Sequence, residues 1–218
     1  MKIITNVMMS LTALVLMLNI TGCASARNVV QDEYKRLSTT PPEPPARCEY
    51  DRAIDNLGVA VGVNYAFSHK LMKEYVSATE NHREYLGFLN DVKYYMDEEK
   101  LDEKAAVDKV VKGIMAEDEK VTNPEEKVWP RVVEGINATN SLKIENKLKE
   151  IIPVLAANAE NLKTVTELKN SFNGLDATII AKGVACAKIA KQATFTAECL
   201  TFIAEQFRRT LVARYYAK

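Results

Sequence analysis

One apolar seam near the carboxyl end of the chain constrains its fold more than any other feature. Apolar and small residues recur there in alternating steps of four and three, the repeat of a helix that packs lengthwise against other helices. The seam consists of Leu175, Ile179, Lys182, Cys186, Ile189, Ala193, Thr196, Leu200, Ile203 and Phe207. No long stretch of the chain alternates apolar and polar residues between turn residues, as a strand would. The sequence therefore predicts an all-α protein.

Apolar residues with helical spacing recur upstream of the seam as well. They predict four long helices, labelled A (48–79), B (81–116), C (141–172) and D (175–216). Because the connections are short, the sequence favours an up-down bundle in which successive helices run antiparallel. In such a bundle helix A starts beside the end of helix D. A short inserted helix with Trp129 separates helices B and C.

Charged and turn-forming residues punctuate the predicted helices. The stretch DEEKLDEK at 97–104 interrupts the apolar pattern of helix B. Thr122 or Asn123 can cap an inserted helix that has Pro124 at its first position. The NG pair that ends at Gly174 closes helix C with a left-handed glycine. Helices C and D are therefore expected to form an antiparallel hairpin.

The stretch GVAVG at residues 58–62 has the glycine spacing of a membrane helix-dimerisation motif. Its apolar neighbourhood runs only from Leu57 to Phe67, with Asp55 before it and Lys70 after it. That neighbourhood is too short for a bilayer, so we expect the two glycines to allow close packing of helix A within the protein.

Residues suited to metal binding or catalysis are scarce. A di-iron site in a helical bundle uses Glu-x-x-His motifs, but Ala66 stands three residues before His69, and Thr79 three residues before His82. The sequence also lacks CxxC and HxxxH spacings, a GxSxG elbow and a phosphate loop. We therefore expect a protein that is not an enzyme and that has no metal or cofactor.

The first residues of the chain have the pattern of a secretory signal. A basic start at Lys2 precedes an apolar run over 7–18, and small residues lead to Cys23. The run is too short to span a bilayer, which takes about 20 residues. The sequence therefore predicts a signal peptide at 1–22.

Ile20, Thr21 and Gly22, followed by Cys23, resemble the lipobox of bacterial lipoproteins. The resemblance implies transfer of diacylglycerol to the Cys23 sulfur, cleavage before Cys23 and N-acylation, with acyl chains such as palmitate. Two or three chains hold a protein on a membrane, because each buried methylene contributes about 0.8 kcal/mol. Ala24 follows the cysteine where an aspartate favours retention at the inner membrane. An alanine at this position resembles the sorting pattern of lipoproteins that are anchored in the outer membrane and face the periplasm.

The segment after Cys23 lacks a deep apolar stripe and then becomes rich in proline. TTPPEPPAR at 39–47 holds four of the seven prolines of the chain, and such a segment is extended, at about 3.1 Å per residue. We therefore expect residues 23–46 to form a tether that holds a bundle domain at 47–218 off the membrane.

Three cysteines remain after Cys23. On one helix Cys186 and Cys199 lie about 19 Å apart, beyond the roughly 7 Å that a disulfide allows between Cα atoms. Any bridge therefore uses Cys48, and the up-down arrangement favours Cys48 with Cys199. Cys186 lies on the seam and is expected to act as a small buried apolar residue.

Charge is balanced overall but unevenly distributed. Without residues 1–22, which hold one lysine and no acid, the chain has 28 basic and 29 acidic residues, which argues against a nucleic-acid partner. Residues 97–127 have a net charge of −5 and residues 182–218 of +5. The two regions either complement each other or leave the basic tail as a partner surface. That candidate surface comprises Arg208, Arg209, Arg214, Tyr215 and Tyr216.

These observations predict a lipid-anchored envelope protein with a structural or protein-interaction role. The alternative is a bundle that carries a small apolar ligand or cofactor in the periplasm. That alternative requires a cavity along the alanine-rich seam of helix D.

Overall fold

The computed structural model describes residues 29–174 and 176–217, and this part of the chain forms helices and connections without a strand. The predicted all-α class is confirmed. The seven α-helices are α1 Val29–Thr39, α2 Arg52–Thr79, α3 Arg83–Glu98, α4 Glu103–Asp118, α5 Trp129–Asn140, α6 Ile144–Ser171 and α7 Ala177–Ala213, and Pro124–Glu126 is a 3-10 turn. Within the described residues, none of these helices has the length and apolar character that a membrane crossing requires.

Aspartates begin three of the helices. The Asp51 carboxylate accepts hydrogen bonds from the first backbone N–H groups of α2, Asp102 does so for α4, and Asp176 for α7. These N–H groups have no partner within their own helix, so each aspartate stabilises its helix by about 1 kcal/mol.

The apolar seam of predicted helix D forms the buried face of α7. All seam residues from Cys186 to Phe207 are fully buried. They pack against α2 and α6 along one half of α7 and against α2 and the shorter helices along the other. The seam prediction is confirmed for this part of the helix.

Predicted helix B is divided into two helices. α3 ends at Glu98, and the next residues include Lys100 in the left-handed region with a φ of 55°. Asp102 then caps α4. The left-handed residue and the cap reverse the chain, so the charged stretch is the turn of a helical hairpin. The predicted cap at Asn123 with Pro124 at the first position is confirmed, but it starts only the 3-10 turn. The inserted α-helix starts at Trp129 and carries Pro130 in its first turn, where proline is tolerated.

The longest helices run in directions that differ from the up-down prediction. α2 and α7 are parallel, because Asp51 pairs with Lys182 at 3.0 Å near their starts and the Tyr75 and Phe202 rings meet further along. α6 runs opposite to α7, and this confirms the predicted hairpin of helices C and D.

The shorter helices explain this change of direction. α3, α4 and α5 pack around the later half of α2 and α7, in one large core that includes Tyr75, Phe88, Val107, Trp129 and Phe207. The chain therefore does not return to the start of α2 before α6 begins. The up-down arrangement of four long helices is accordingly not confirmed.

The residues before α2 pack on the protein, and this differs from the expected tether. Val30 and Leu37 of α1 are fully buried in the large core, and Arg36 pairs with Glu198 at 2.8 Å. Further along, Ala46 is buried in a second, smaller core. The tether prediction is wrong for residues 29–46, because Val30 and Leu37 lie two turns apart on the same face of α1 and neighbouring helices supply the surface that buries them.

The structure also contradicts the predicted bridge between Cys48 and Cys199. Cys48, Cys186 and Cys199 are all free and buried. Cys48 and Cys186 belong to the smaller core, at the starts of α2 and α7, whereas Cys199 lies in the large core with its Sγ 3.5 Å from the Ser68 carbonyl oxygen. Parallel α2 and α7 place Cys48 level with Cys186, so the pairing based on antiparallel helices is wrong.

Candidate protein-interaction site

An open groove lies on the α3–α4 hairpin. Its volume is about 690 Å³. Lys109 of α4 fixes the hairpin, because its ammonium pairs with the Glu99 carboxylate and lies 4.5 Å from the centre of the Tyr95 ring. The groove is lined by Asn90, Asp91, Tyr94, Tyr95, Lys109, Val110, Gly113, Ile114, Glu117, Asp118 and Val128.

The buried side chains of this groove are mixed, because Val110 is apolar whereas Asn90 and Asp118 are polar, and part of the rim is apolar. Val110 is buried and Ile114 is half-buried, while Tyr94 is 38% exposed and Val128 37% exposed. Gly113 also lines the groove, and a Cβ atom added there would meet no other described atom within 4 Å. The space above Gly113 is therefore open to a side chain from another molecule.

Acidic residues occupy the end of the groove near α5. Asp118 is buried, and its two carboxylate oxygens accept hydrogen bonds from the backbone N–H groups of Val128 and Trp129 at 2.8 and 2.7 Å. It thereby holds the start of α5 against α4. Glu117 is exposed beside it and pairs with Lys120. The groove thus combines apolar and aromatic side chains with acidic residues at one end.

The tail arginines predicted as a partner surface are engaged within the chain. Arg209 is 2% exposed, and its guanidinium donates hydrogen bonds to Gln206 and Glu205 at 3.0 and 3.1 Å. Arg208 pairs with Glu103 at 2.9 Å, and Arg214 pairs with Glu145 at 3.0 Å. Glu103 belongs to the acidic region 97–127, so this pair joins the two oppositely charged regions.

The two tail tyrosines differ in whether they contact the rest of the chain. Tyr216 donates a hydrogen bond to the Asp108 carboxylate at 3.1 Å, whereas Tyr215 is 71% exposed. The structure therefore does not bring the five predicted residues together as one exposed surface, since Arg209 points into the core.

A buried polar cluster next to Arg209 has no sequence signature. Tyr75 and Tyr85 are fully buried, and the Tyr85 hydroxyl shares a hydrogen bond with Thr210. Burial raises the pKa of both phenols, most strongly that of Tyr75, so both stay protonated at neutral pH. Two neutral phenols within a packed core hold helices together and offer no base for catalysis.

The alternative of a ligand carrier finds no support in the cavities. A second concavity, of about 270 Å³, lies where α5 meets α6, beside Lys143 and Arg214. Neither concavity reaches the alanine seam of α7, where Ala185 and Ala193 are packed in the smaller core. Within the described residues there is no group of three or more His, Cys, Asp or Glu side chains that could hold a metal ion.

The groove residues could not be recognised from the sequence. Tyr94 and Gly113 lie off the apolar stripes of their helices, and Val128 becomes part of the groove only through the turn that precedes α5. The predicted lipidation site, Cys23, lies outside the described residues. No protein-family model, curated protein or solved structure matches the chain.

Proposed function

We propose that the chain is a lipid-anchored protein of the bacterial cell envelope that binds another protein through the α3–α4 groove. The observation that carries the binding role is the exposed apolar and aromatic surface of Tyr94 and Val128 around the open space at Gly113. Aromatic residues are enriched in protein-interaction sites, and an open concavity beside them gives a partner side chain a place to bind.

The shape and the charge of the groove indicate the class of its partner. Two antiparallel helices form a trough of the kind that receives an amphipathic helix through its apolar face. Residues 97–127 hold eleven acidic and six basic side chains, and Glu117 brings part of this charge to the groove. We therefore infer that the occupant is a helix of another protein with basic residues beside its apolar face, since opposite charge speeds and orients association.

The stretch from Ile20 to Cys23 resembles a lipobox, and this resemblance supports the lipid anchor. Acylated Cys23 would concentrate the protein on a membrane, and Ala24 supports the outer membrane, facing the periplasm. The partner is then another protein of the envelope. A near-neutral chain gives no support to a nucleic-acid partner.

Photocrosslinking in intact membranes tests the binding role. A photoreactive residue at Tyr94 should give a covalent adduct with a discrete partner, and one at Lys163, which is exposed on α6, should not give that adduct. Gly113→Trp should fill the groove and reduce the yield at least about tenfold, because displacing a well-packed anchor costs about 2 kcal/mol or more.

Gly183→Trp is the matched control, because Gly183 also has open space around its Cα but lies on α7. It should leave the yield unchanged. Equal adducts from positions 94 and 163, or an adduct that persists in the Gly113→Trp chain, would contradict the proposed groove.

A further inference from the structure

The proline-rich segment 41–46, here called the strap, lies in a groove between α2 and α7. It runs antiparallel to α2, because Pro41 lies at Tyr65 and Ala46 lies at Gly58. Its prolines are exposed, although the Pro45 ring contacts α2 at Gly62, whereas Ala46 is buried in the smaller core. The strap has neither helix nor strand, so it is held by its contacts with the two helices.

Side chains of both helices donate hydrogen bonds to the backbone of the strap. The Tyr65 hydroxyl donates a hydrogen bond to the Pro41 carbonyl at 3.1 Å, and the Gln192 amide donates one to the Pro44 carbonyl at 2.9 Å. Proline has no N–H group, so its carbonyl is the only backbone group that can be recognised in this way. Donors that project from a groove onto these carbonyls are the usual means of binding proline-rich peptides.

The groove is shaped to admit a backbone. A Cβ added to Gly58 would collide with the Ala46 carbonyl, and one added to Gly62 would lie 2.7 Å from Cγ of Pro45. The two glycines of the GVAVG motif therefore make room for the strap. The expected close packing of helix A is confirmed, but much of it is against this segment.

Aromatic rings and one charge complete the site. Tyr65, His69 and Phe195 cluster at the Pro41 end, with ring centres 4.5 to 5.3 Å apart. At the middle of the strap Lys191 of α7 pairs with Glu43 at 2.9 Å. The site thus has an aromatic end, two side chains that donate hydrogen bonds to carbonyl oxygens, two glycines that admit a backbone, and a cation for an acidic residue between two proline pairs.

We propose that the α2–α7 groove is a binding site for extended proline-rich peptides with a central acidic residue, occupied in this chain by its own strap. It is separate from the α3–α4 groove and does not depend on the function proposed above. A linked segment has a local concentration of about millimolar, so the strap excludes a free peptide from the intact protein. The site becomes available when the strap is displaced.

The test uses the mature chain with its strap displaced and a fluorescent peptide of residues 39–48 as the probe. One variant replaces 41–46 with a Gly-Ser segment of equal length, and another carries Ala46→Arg, whose side chain cannot be buried in the smaller core where Ala46 lies. Both retain α1. Each variant should bind the peptide at least about tenfold more tightly than the wild type, since neither has an intramolecular competitor.

Two changes test the recognition itself. Tyr65→Phe in the Gly-Ser variant should weaken binding about fivefold, because it removes one hydrogen bond. A peptide with Glu43→Lys should also bind more weakly. Folded variants that bind no better than the wild type, or that bind both peptides equally, would overturn the proposal. Loss of helicity in both variants would overturn it too, because the strap would then be a permanent part of the core.

Discussion

Replacement of Gly58 by alanine is a direct measure of how tightly the strap is packed. Gly58 is the seventh residue of α2, and Gly183 is the seventh residue of α7. Both lie inside a helix, where Gly→Ala alone stabilises by about 1 kcal/mol. Only Gly58 faces another segment, because a Cβ at Gly183 would meet no described atom within 4 Å. Gly183→Ala is therefore a matched control.

The two substitutions should change stability in opposite directions. At Gly58 the added methyl group must push the Ala46 carbonyl aside, and Cδ1 of Ile189 also lies 3.6 Å away. Overpacking of this kind costs about 1–3 kcal/mol. After the gain in helix propensity, Gly58→Ala should lower the free energy of unfolding by up to about 2 kcal/mol, whereas Gly183→Ala should raise it by about 1 kcal/mol.

Urea unfolding followed by far-ultraviolet circular dichroism measures both changes. Trypsin provides a local readout, because Arg47 is exposed at the end of the strap and should be cleaved faster in the Gly58→Ala chain. The reasoning is refuted if both variants are stabilised equally and are cleaved at Arg47 at the wild-type rate.

Three further predictions concern buried and half-buried groups. Burial lowers the pKa of His69, so the unfolded chain takes up a proton at a higher pH than the folded chain. The free energy of unfolding should therefore fall as the pH drops below about 6.5, the ordinary histidine value. Urea unfolding at several pH values should show a smaller fall for His69→Gln, and an equal fall would contradict this role of His69. Arg209→Ala should cost about 3 kcal/mol in urea unfolding and Arg208→Ala about 1 kcal/mol or less, because only Arg209 is buried; equal costs would contradict its placement. Burial raises the pKa of Cys199 to about 12, so alkylation near pH 8 should modify it only after denaturation, and labelling of the native chain would contradict its burial.

The helical class and the inward face of α7 could be predicted because both depend on local spacing. The seam from Cys186 to Phe207 repeats regularly enough to identify a helix and its buried side. The hairpin of α6 and α7 followed from the turn that ends at Gly174. These features need no knowledge of distant parts of the chain.

The direction of α2 relative to α7 could not be predicted in the same way. It depends on the chain reversal at Lys100 and Asp102. From the sequence this charged stretch indicates only an interruption within one helix, whereas in the structure it is the turn between two helices. The incorrect pairing of Cys48 with Cys199 followed from treating α3 and α4 as one helix, because α2 and α7 were then expected to be antiparallel.

The packing of the N-terminal segment and the groove residues depended on tertiary context. Val30 and Leu37 are too few to indicate a buried helix from sequence, and they become buried because other helices supply the surrounding surface. Tyr94 and Val128 come from segments far apart in sequence, so only the fold places them beside the same groove.

The proposed attachment of this helical protein to a membrane of the envelope depends on acyl chains at Cys23. Mass spectrometry of the N-terminal peptide, prepared from detergent-extracted membranes, measures these chains. We expect a chain that begins at Cys23 and carries the mass of a diacylglycerol, with a further acyl group on its amine, and we expect Cys23→Ser to abolish both. An unmodified Cys23, or a mature chain that begins elsewhere, would show that the proposed anchor is wrong.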